Sequence, residues 1–280
     1  MATASSRPAS PSPIVEKATD IVRGLIAPVI CTVAVLAIWE IMCRGEKPMM
    51  PGPSMVFNQT QQTVMNGFSG QKGIWSQLLV SLRRVAIGYS FAAILGIIVG
   101  TSIGVNKFLR EGFDPMIQVL RTVPPLAWLP ISSIIFIQLK TSNPAEDAGL
   151  FLIFITSIWP IIINTSAGVQ QIPKDYMNVA KVLRLSGKDF FLSILVPSTV
   201  PYVFTGLKIG IGLAWLAIVA AEMVASSAEG GIGAYIWGEY NNQDGTISIS
   251  KIILAVFSVG LVGLVLDRFV GWLGSLIVSE

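Results

Sequence analysis

The sequence predicts an all-α integral membrane protein with about six membrane-spanning helices. Three observations lead there. Charged residues make up 12% of the 280-residue chain, about half the ~25% of soluble proteins and too few to cover a globular surface. Mean hydropathy is +0.69. Six apolar stretches, near 25–43, 85–105, 115–139, 148–169, 199–224 and 249–268, approach or exceed the ~20 helical residues that cross about 30 Å of hydrocarbon.

The chain opens with MATASSRPASPSP. Residues 1–24 read as a disordered cytoplasmic tail, with no apolar core of the kind a secretory signal needs. The first apolar run is an uncleaved span ending near Trp39, a residue suited to the interface. Together with the polar stretch that follows, expected as a surface-lying helix and loop, it makes up residues 25–80. Residues 81–280 form the core. In its first span Gly96, Gly100 and Gly104 recur every fourth residue on one face, and Gly206 and Gly210 repeat the step later. Such faces let two helices approach closely, within the chain or between copies, although glycine is also frequent in membrane helices generally.

Orientation follows from Lys and Arg in the short loops. Lys107 and Arg110 follow the second run, and Lys174, Lys181, Arg184 and Lys188 follow the fourth. The third is followed only by Lys140, and Lys251 lies at the far edge after the fifth. With Arg7, Lys17 and Arg23 ahead of the first run, both termini and the loop after the fourth face the cytoplasm. The first loop breaks the pattern, and Arg83 and Arg84 are expected to snorkel at the membrane edge.

Two cations fall inside apolar runs. Arg121 sits beside Pro124, Pro125 and Pro130, which interrupt the third helix and free backbone groups that must line protein or a cavity. Lys208 lies mid-way along the fifth run. Intramembrane charge is costly, so each is a candidate for an anion pathway; snorkelling of Arg121, and pairing of Lys208 with Glu222 or another helix, are the alternatives. Asn164 and Thr165 offer neutral hydrogen bonds to an oxyanion, or to their own helix. Glu222 would repel an anion and reads as structural.

Several chemistries are excluded. The chain has no histidine, which removes zinc-protease spacing. Cys31 and Cys43 share one apolar run and read as packing residues. Gly187-Lys188 is followed by Asp189 and lacks a glycine five residues earlier, so there is no phosphate-cradling loop. EGGIGAYI does not complete the dinucleotide fingerprint. A net charge of +3 gives no reason to invoke nucleic acid. No cofactor is expected on this chain.

Residues 174–197 stand out as a charged module between apolar runs. Asp175 is expected to cap a short helix with Met177, Ala180 and Leu183 on one face. Ser186 and Asp189 have capping-box spacing for a second helix bearing Phe190, Phe191, Ile194 and Leu195. Leu185-Ser186-Gly187 supplies the turn, glycine tolerating positive φ. A basic loop on anionic lipid headgroups is the alternative.

This module resembles the cytoplasmic loop E-A-A-x3-G-x9-I-x-L-P of permease subunits in binding-protein-dependent ABC importers. Ala180, Ile194 and Pro197 match; Asn178 replaces the glutamate, Val179 the first alanine, Arg184 the glycine and Val196 the leucine. SLRRVAIGYSFAAILGIIVGTSIG, DPMIQVLRTVPPLAWLPI, WPIIINTSAGVQQIP and AAEMVASSAEGGIGAYIW are similar to successive landmarks of the nitrate/sulfonate/bicarbonate permeases, nearest its cyanobacterial nitrate branch. The likeness covers roughly residues 81–270. It implies a type I importer permease fold in a bacterial inner membrane and no enzymatic activity of the chain's own. It implies two cytosolic ATPase subunits carrying ATP–Mg, an extracytoplasmic substrate-binding protein, and a second copy of this chain. It implies that the loop docks on an ATPase through Asp175, Met177, Asn178, Ala180, Leu183, Arg184, Gly187, Phe190, Ile194 and Pro197, with Asp175 a substitute for the missing glutamate. Nitrate and nitrite stand ahead of bicarbonate, sulfonates or cyanate. A secondary transporter, the rival class, would ordinarily show internal repeats and a coupling acid near the midplane.

Overall fold

The fold is built around one helix. A computed structural model describes residues 13–45, 50–65, 73–225, 230–242 and 244–278. Its elements are α1 (Pro13–Met42), α2 (Pro53–Met65), α3 (Ile74–Val105), α4 (Lys107–Leu120), α5 (Trp128–Gln138), α6 (Pro144–Gln170), α7 (Lys174–Val182), α8 (Gly187–Phe190), α9 (Val196–Val224), α10 (Ile232–Asn242) and α11 (Thr246–Val278). A 3₁₀ turn, Pro125–Ala127, precedes α5, and a π-helical turn, Phe191–Leu195, joins α8 to α9. The described residues contain no strand.

α6 packs along α3 on one side and α9 on the other. Glycines make both seams possible. A Cβ on Gly100 would meet Ile162 O and Thr165 Cβ at 2.8 Å, and one on Gly104 would meet Val169 Cβ at 2.6 Å. Gly96 and Gly88 lie as close over Ile161 and Ile153. On the opposite seam Gly206 and Gly210 rest on the α6 backbone at Pro160 and Ser157. The four-residue spacing thus serves packing within the chain. Lipid gives apolar side chains no drive to associate, so close backbone contact does the work that burial does in water. Trp215, Ile218, Ile232 and Ala255 continue the core toward α10 and α11.

Four described helices are long and apolar enough to cross a membrane: Ile74–Val105, Pro144–Gln170, the joined Gly187–Val224 and Thr246–Ile277. α4 and α5 are long and apolar enough only together, bent by 92° at the Arg121–Pro124 break, the form of a broken span or a re-entrant loop. The sixth apolar run is the shorter segment Ile26–Met42. The third run is therefore two short helices at nearly a right angle. Pro124 and Pro125 remove the amides that would continue α4.

Other boundaries also differ from expectation. α1 begins at Pro13, inside the segment expected to be disordered; residues 1–12 of that tail lie outside the described residues. α3 begins at Ile74, not near 85, which places Arg83 and Arg84 within it. Arg84 does not snorkel; it is 1% exposed. The polar α2 lies against α11, Gln59 accepting from Ser250 Oγ at 2.6 Å. Its start is held by Glu40 of α1, which accepts from Ser54 N and Oγ at 3.1 and 2.7 Å.

Candidate functional site

The 174–197 module folds as a helical hairpin. α7 ends in a Schellman motif: Leu185 N–H donates to Ala180 O at 3.0 Å and Arg184 N–H to Lys181 O at 3.2 Å. The left-handed residue is Arg184, with φ 49°. Gly187, expected to supply the turn's positive φ, is instead the first residue of α8. Asp175 does not cap α7 either: Pro173 is at the cap, and Asp175 lies in the first turn, where its charge suits the helix dipole. Ser186 caps α8, its Oγ accepting from Asp189 N–H at 3.2 Å and donating to Asp189 Oδ2 at 2.6 Å. Ala180 is buried at 9% while Leu183 on the same stripe is 65% exposed. Tyr176, Met177, Val179 and Val182 are exposed with it, as is Asn178, leaving a short helix with unpartnered apolar side chains. Phe190 and Ile194 are half-buried and Pro197 exposed where the hairpin enters α9.

Arg121 is the C-cap of α4, exposed at the bend rather than deep in a straight helix. It lines a cavity of about 240 Å³ between α4 and the end of α6. Pro124 is exposed three residues on. The other expected pathway residues do not join it. Thr165 is fully buried against Gly100 in the α3–α6 seam. Asn164 donates to Pro160 O of its own helix at 2.7 Å and packs beside Gly206. Lys208 lines a different cavity, between α9 and α11, and pairs with Asp267 at 3.4 Å, not with Glu222.

Sequence reasoning missed the two buried charge clusters at the opposite end of the bundle. Glu222 of α9 accepts from Arg84 Nη1 at 2.7 Å, from Ser81 Oγ at 2.8 Å and from Gly233 N–H at 3.0 Å. Arg84 also donates to Gly230 O at 2.6 Å, Gln77 accepts from Gly231 N–H at 2.7 Å, and Ser81 Oγ accepts from Ile232 N–H at 2.9 Å. α3 thereby ties the α9–α10 connection down. Gly231, at φ +135°, faces the Glu222 carboxylate so closely that no Cβ fits. In the second cluster Lys251 of α11 donates to Glu239 of α10 at 3.1 Å. Burial first, and the Glu239 carboxylate second, hold the nearby Tyr235 phenol above its ordinary range. The available signal was Glu222, an acid alone in an apolar run; an isolated buried charge is so costly that a partner is required.

A glycine-packed bundle of long apolar helices, with a helical hairpin presenting apolar side chains between two of them, makes a multi-pass integral membrane protein. The chain belongs to the family of binding-protein-dependent transport system inner membrane components, whose model matches residues 92–278. It is 55% identical to the nitrate import permease protein NrtB of Synechococcus elongatus over 256 residues, 89% of this chain and 88% of that one. It is 49% identical to the protein of the same name from Synechocystis, covering 91% and 90%. Identity to the Synechocystis bicarbonate transport system permease protein CmpB is 47% over 91% and 90%. Among solved structures, an amino acid ABC transporter superposes with a TM-score of 0.58 at 13% identity, covering 72% of this chain and 92% of that one. The MetNI methionine ABC transporter superposes at 0.54 and 18%, covering 71% and 93%. The chain is thus the inner-membrane component of a binding-protein-dependent transport system.

Proposed function

We propose that this chain is the nitrate-conducting subunit of an ATP-driven importer. The observation that carries the substrate is the 55% identity to a nitrate import permease along nearly the whole chain. Arg121 supports it: its side chain makes no ion pair with any described residue, and it stands at a proline break beside a cavity. A partly dehydrated anion needs such compensation. Two copies form the pathway by twofold symmetry, because one chain brings one hairpin and an importer with two ATPases needs two. The hairpin docks on the ATPase that binds ATP–Mg, through the exposed Met177, Val179 and Leu183, and both termini face the cytoplasm.

The test is uptake of labelled nitrate by the complete complex in proteoliposomes, with nitrite, bicarbonate and sulfonate as competitors. Nitrate uptake that nitrite competes and bicarbonate does not is the expected result. Bicarbonate uptake indifferent to nitrate would move the chain to the second reading, which the 47% identity to a bicarbonate permease favours. A second, different permease chain in the purified complex would refute the homodimer.

A further inference from the structure

We propose that the cavity between α4 and α6 is a binding site for a small planar oxyanion at the hairpin end of the bundle. The proposal deepens the importer reading and rests on it. Asp114, Gln118 and Arg121 recur at four- and three-residue spacing on α4 and face the cavity together. From α6, Ser166 and Gln170 face it one turn apart. Gln170 Nε2 donates to Ser166 O and Oγ at 3.1 and 3.0 Å. The Ser166 hydroxyl is thus already an acceptor, and its own hydrogen reaches no described acceptor although the residue is only 6% exposed. Ser157 on α6 and Ser102 on α3, by contrast, donate back to their own backbone.

Apart from the Asp114 carboxylate and the amide oxygens of Gln118 and Gln170, the free groups around the cavity are donors: a guanidinium without an ion pair, one buried hydroxyl and the Gln118 amide N–H₂. A ligand that only accepts, and is flat enough to meet the guanidinium fork with two oxygens, satisfies them. At about 240 Å³ the cavity holds a triatomic-arm oxyanion with some water. Asp114 lies two helical turns from Arg121, about 10 Å along the axis. Its carboxylate gives the site a polarity, attractive at the bend and repulsive at the other end, so bound anion is held weakly enough to leave. Gln170 is the last residue of α6, immediately before the hairpin, so this site holds the anion at the end where the ATPase docks.

The test uses a single reporter thiol in the complete complex in nanodiscs: Ala167→Cys, which lines the cavity, with Cys31→Ser and Cys43→Ser. Its reaction rates with sulfonatoethyl and trimethylammonium-ethyl methanethiosulfonate are normalised to a free thiol. The anionic reagent should react faster than the cationic one by about tenfold, because one unit charge at ~6 Å in a water-like medium favours the anion about threefold and disfavours the cation equally. Arg121→Gln should abolish that preference and Asp114→Asn should enlarge it. Excess nitrate should slow the reaction relative to chloride at equal ionic strength. Equal normalised rates, no reaction with either reagent, or equal protection by chloride would overturn the proposal. Protection by bicarbonate and not by nitrate would keep the site and sink only the nitrate assignment.

Discussion

Replacing Glu222 by Gln keeps the side chain's shape and removes its charge. Arg84, 1% exposed, then keeps Gly230 O at 2.6 Å and a distant carboxylate, Glu146 Oε1 at 3.8 Å. Removing one partner of a buried pair costs about 3–5 kcal/mol. The help from Glu146 places this case near the low end, about 3 kcal/mol. Arg84→Met should cost about the same, because Glu222 keeps Ser81 Oγ and Gly233 N–H. At roughly 2–4 °C per kcal/mol, each single variant should melt about 6–12 °C lower. The assay is retention of the monodisperse complex on gel filtration after stepwise heating. Arg84→Met combined with Glu222→Met leaves no orphan charge and should recover more than half of the loss. Single variants melting within about 2 °C of the parent, under 1 kcal/mol, would refute the reasoning.

Leu183→Asp should leave the fold intact, Leu183 being 65% exposed, yet place a charge in an apolar contact at about 2 kcal/mol or more; substrate-stimulated ATP hydrolysis should fall, and undiminished coupling would contradict docking there. Arg121→Gln should slow nitrate uptake more than Arg121→Lys at equal protein level, because Lys keeps the charge and loses only the planar fork; normal transport by both would remove Arg121 from the pathway. Gly100→Ala places a methyl 2.8 Å from the α6 backbone and should cost about 1–3 kcal/mol in the same heating assay. Gly112→Ala, with nothing within 4 Å of the added methyl, is its control.

What the sequence disclosed, and what it hid, follows the range of the interactions. Ser186 and Asp189 announced the second hairpin helix because a cap bond spans three residues. The Pro124-Pro125 break was equally local, but its 92° angle depends on how α5 lies on α6. The glycine steps told of close packing; only the fold says that both sets meet the same helix. Arg84 and Glu222 are 138 residues apart, and nothing near either one names the other. The α3 start went unseen because Gln77, Ser81, Arg83 and Arg84 look like loop polarity, whereas three of them bind the far end of α9 and its connection. Arg184 misled in the opposite sense: a left-handed turn read as glycine work is held by a long side chain at a strain of about 1 kcal/mol.

From Gly187 the chain runs as one 38-residue helix to Val224. Its first turn belongs to the hairpin and its last carries Glu222. At 1.5 Å per residue those ends are about 50 Å apart. The rod behaves as a lever: a tilt of about 5° at the hairpin end sweeps the other end through roughly 4 Å over that length. That distance is larger than the hydrogen bonds holding Glu222 to Arg84 and Ser81, so the clamp at the far end must either travel with the lever or let go. One compliant point along it is the π turn at Phe191–Leu195, next to the hairpin, where a change of pitch can absorb motion before it is transmitted.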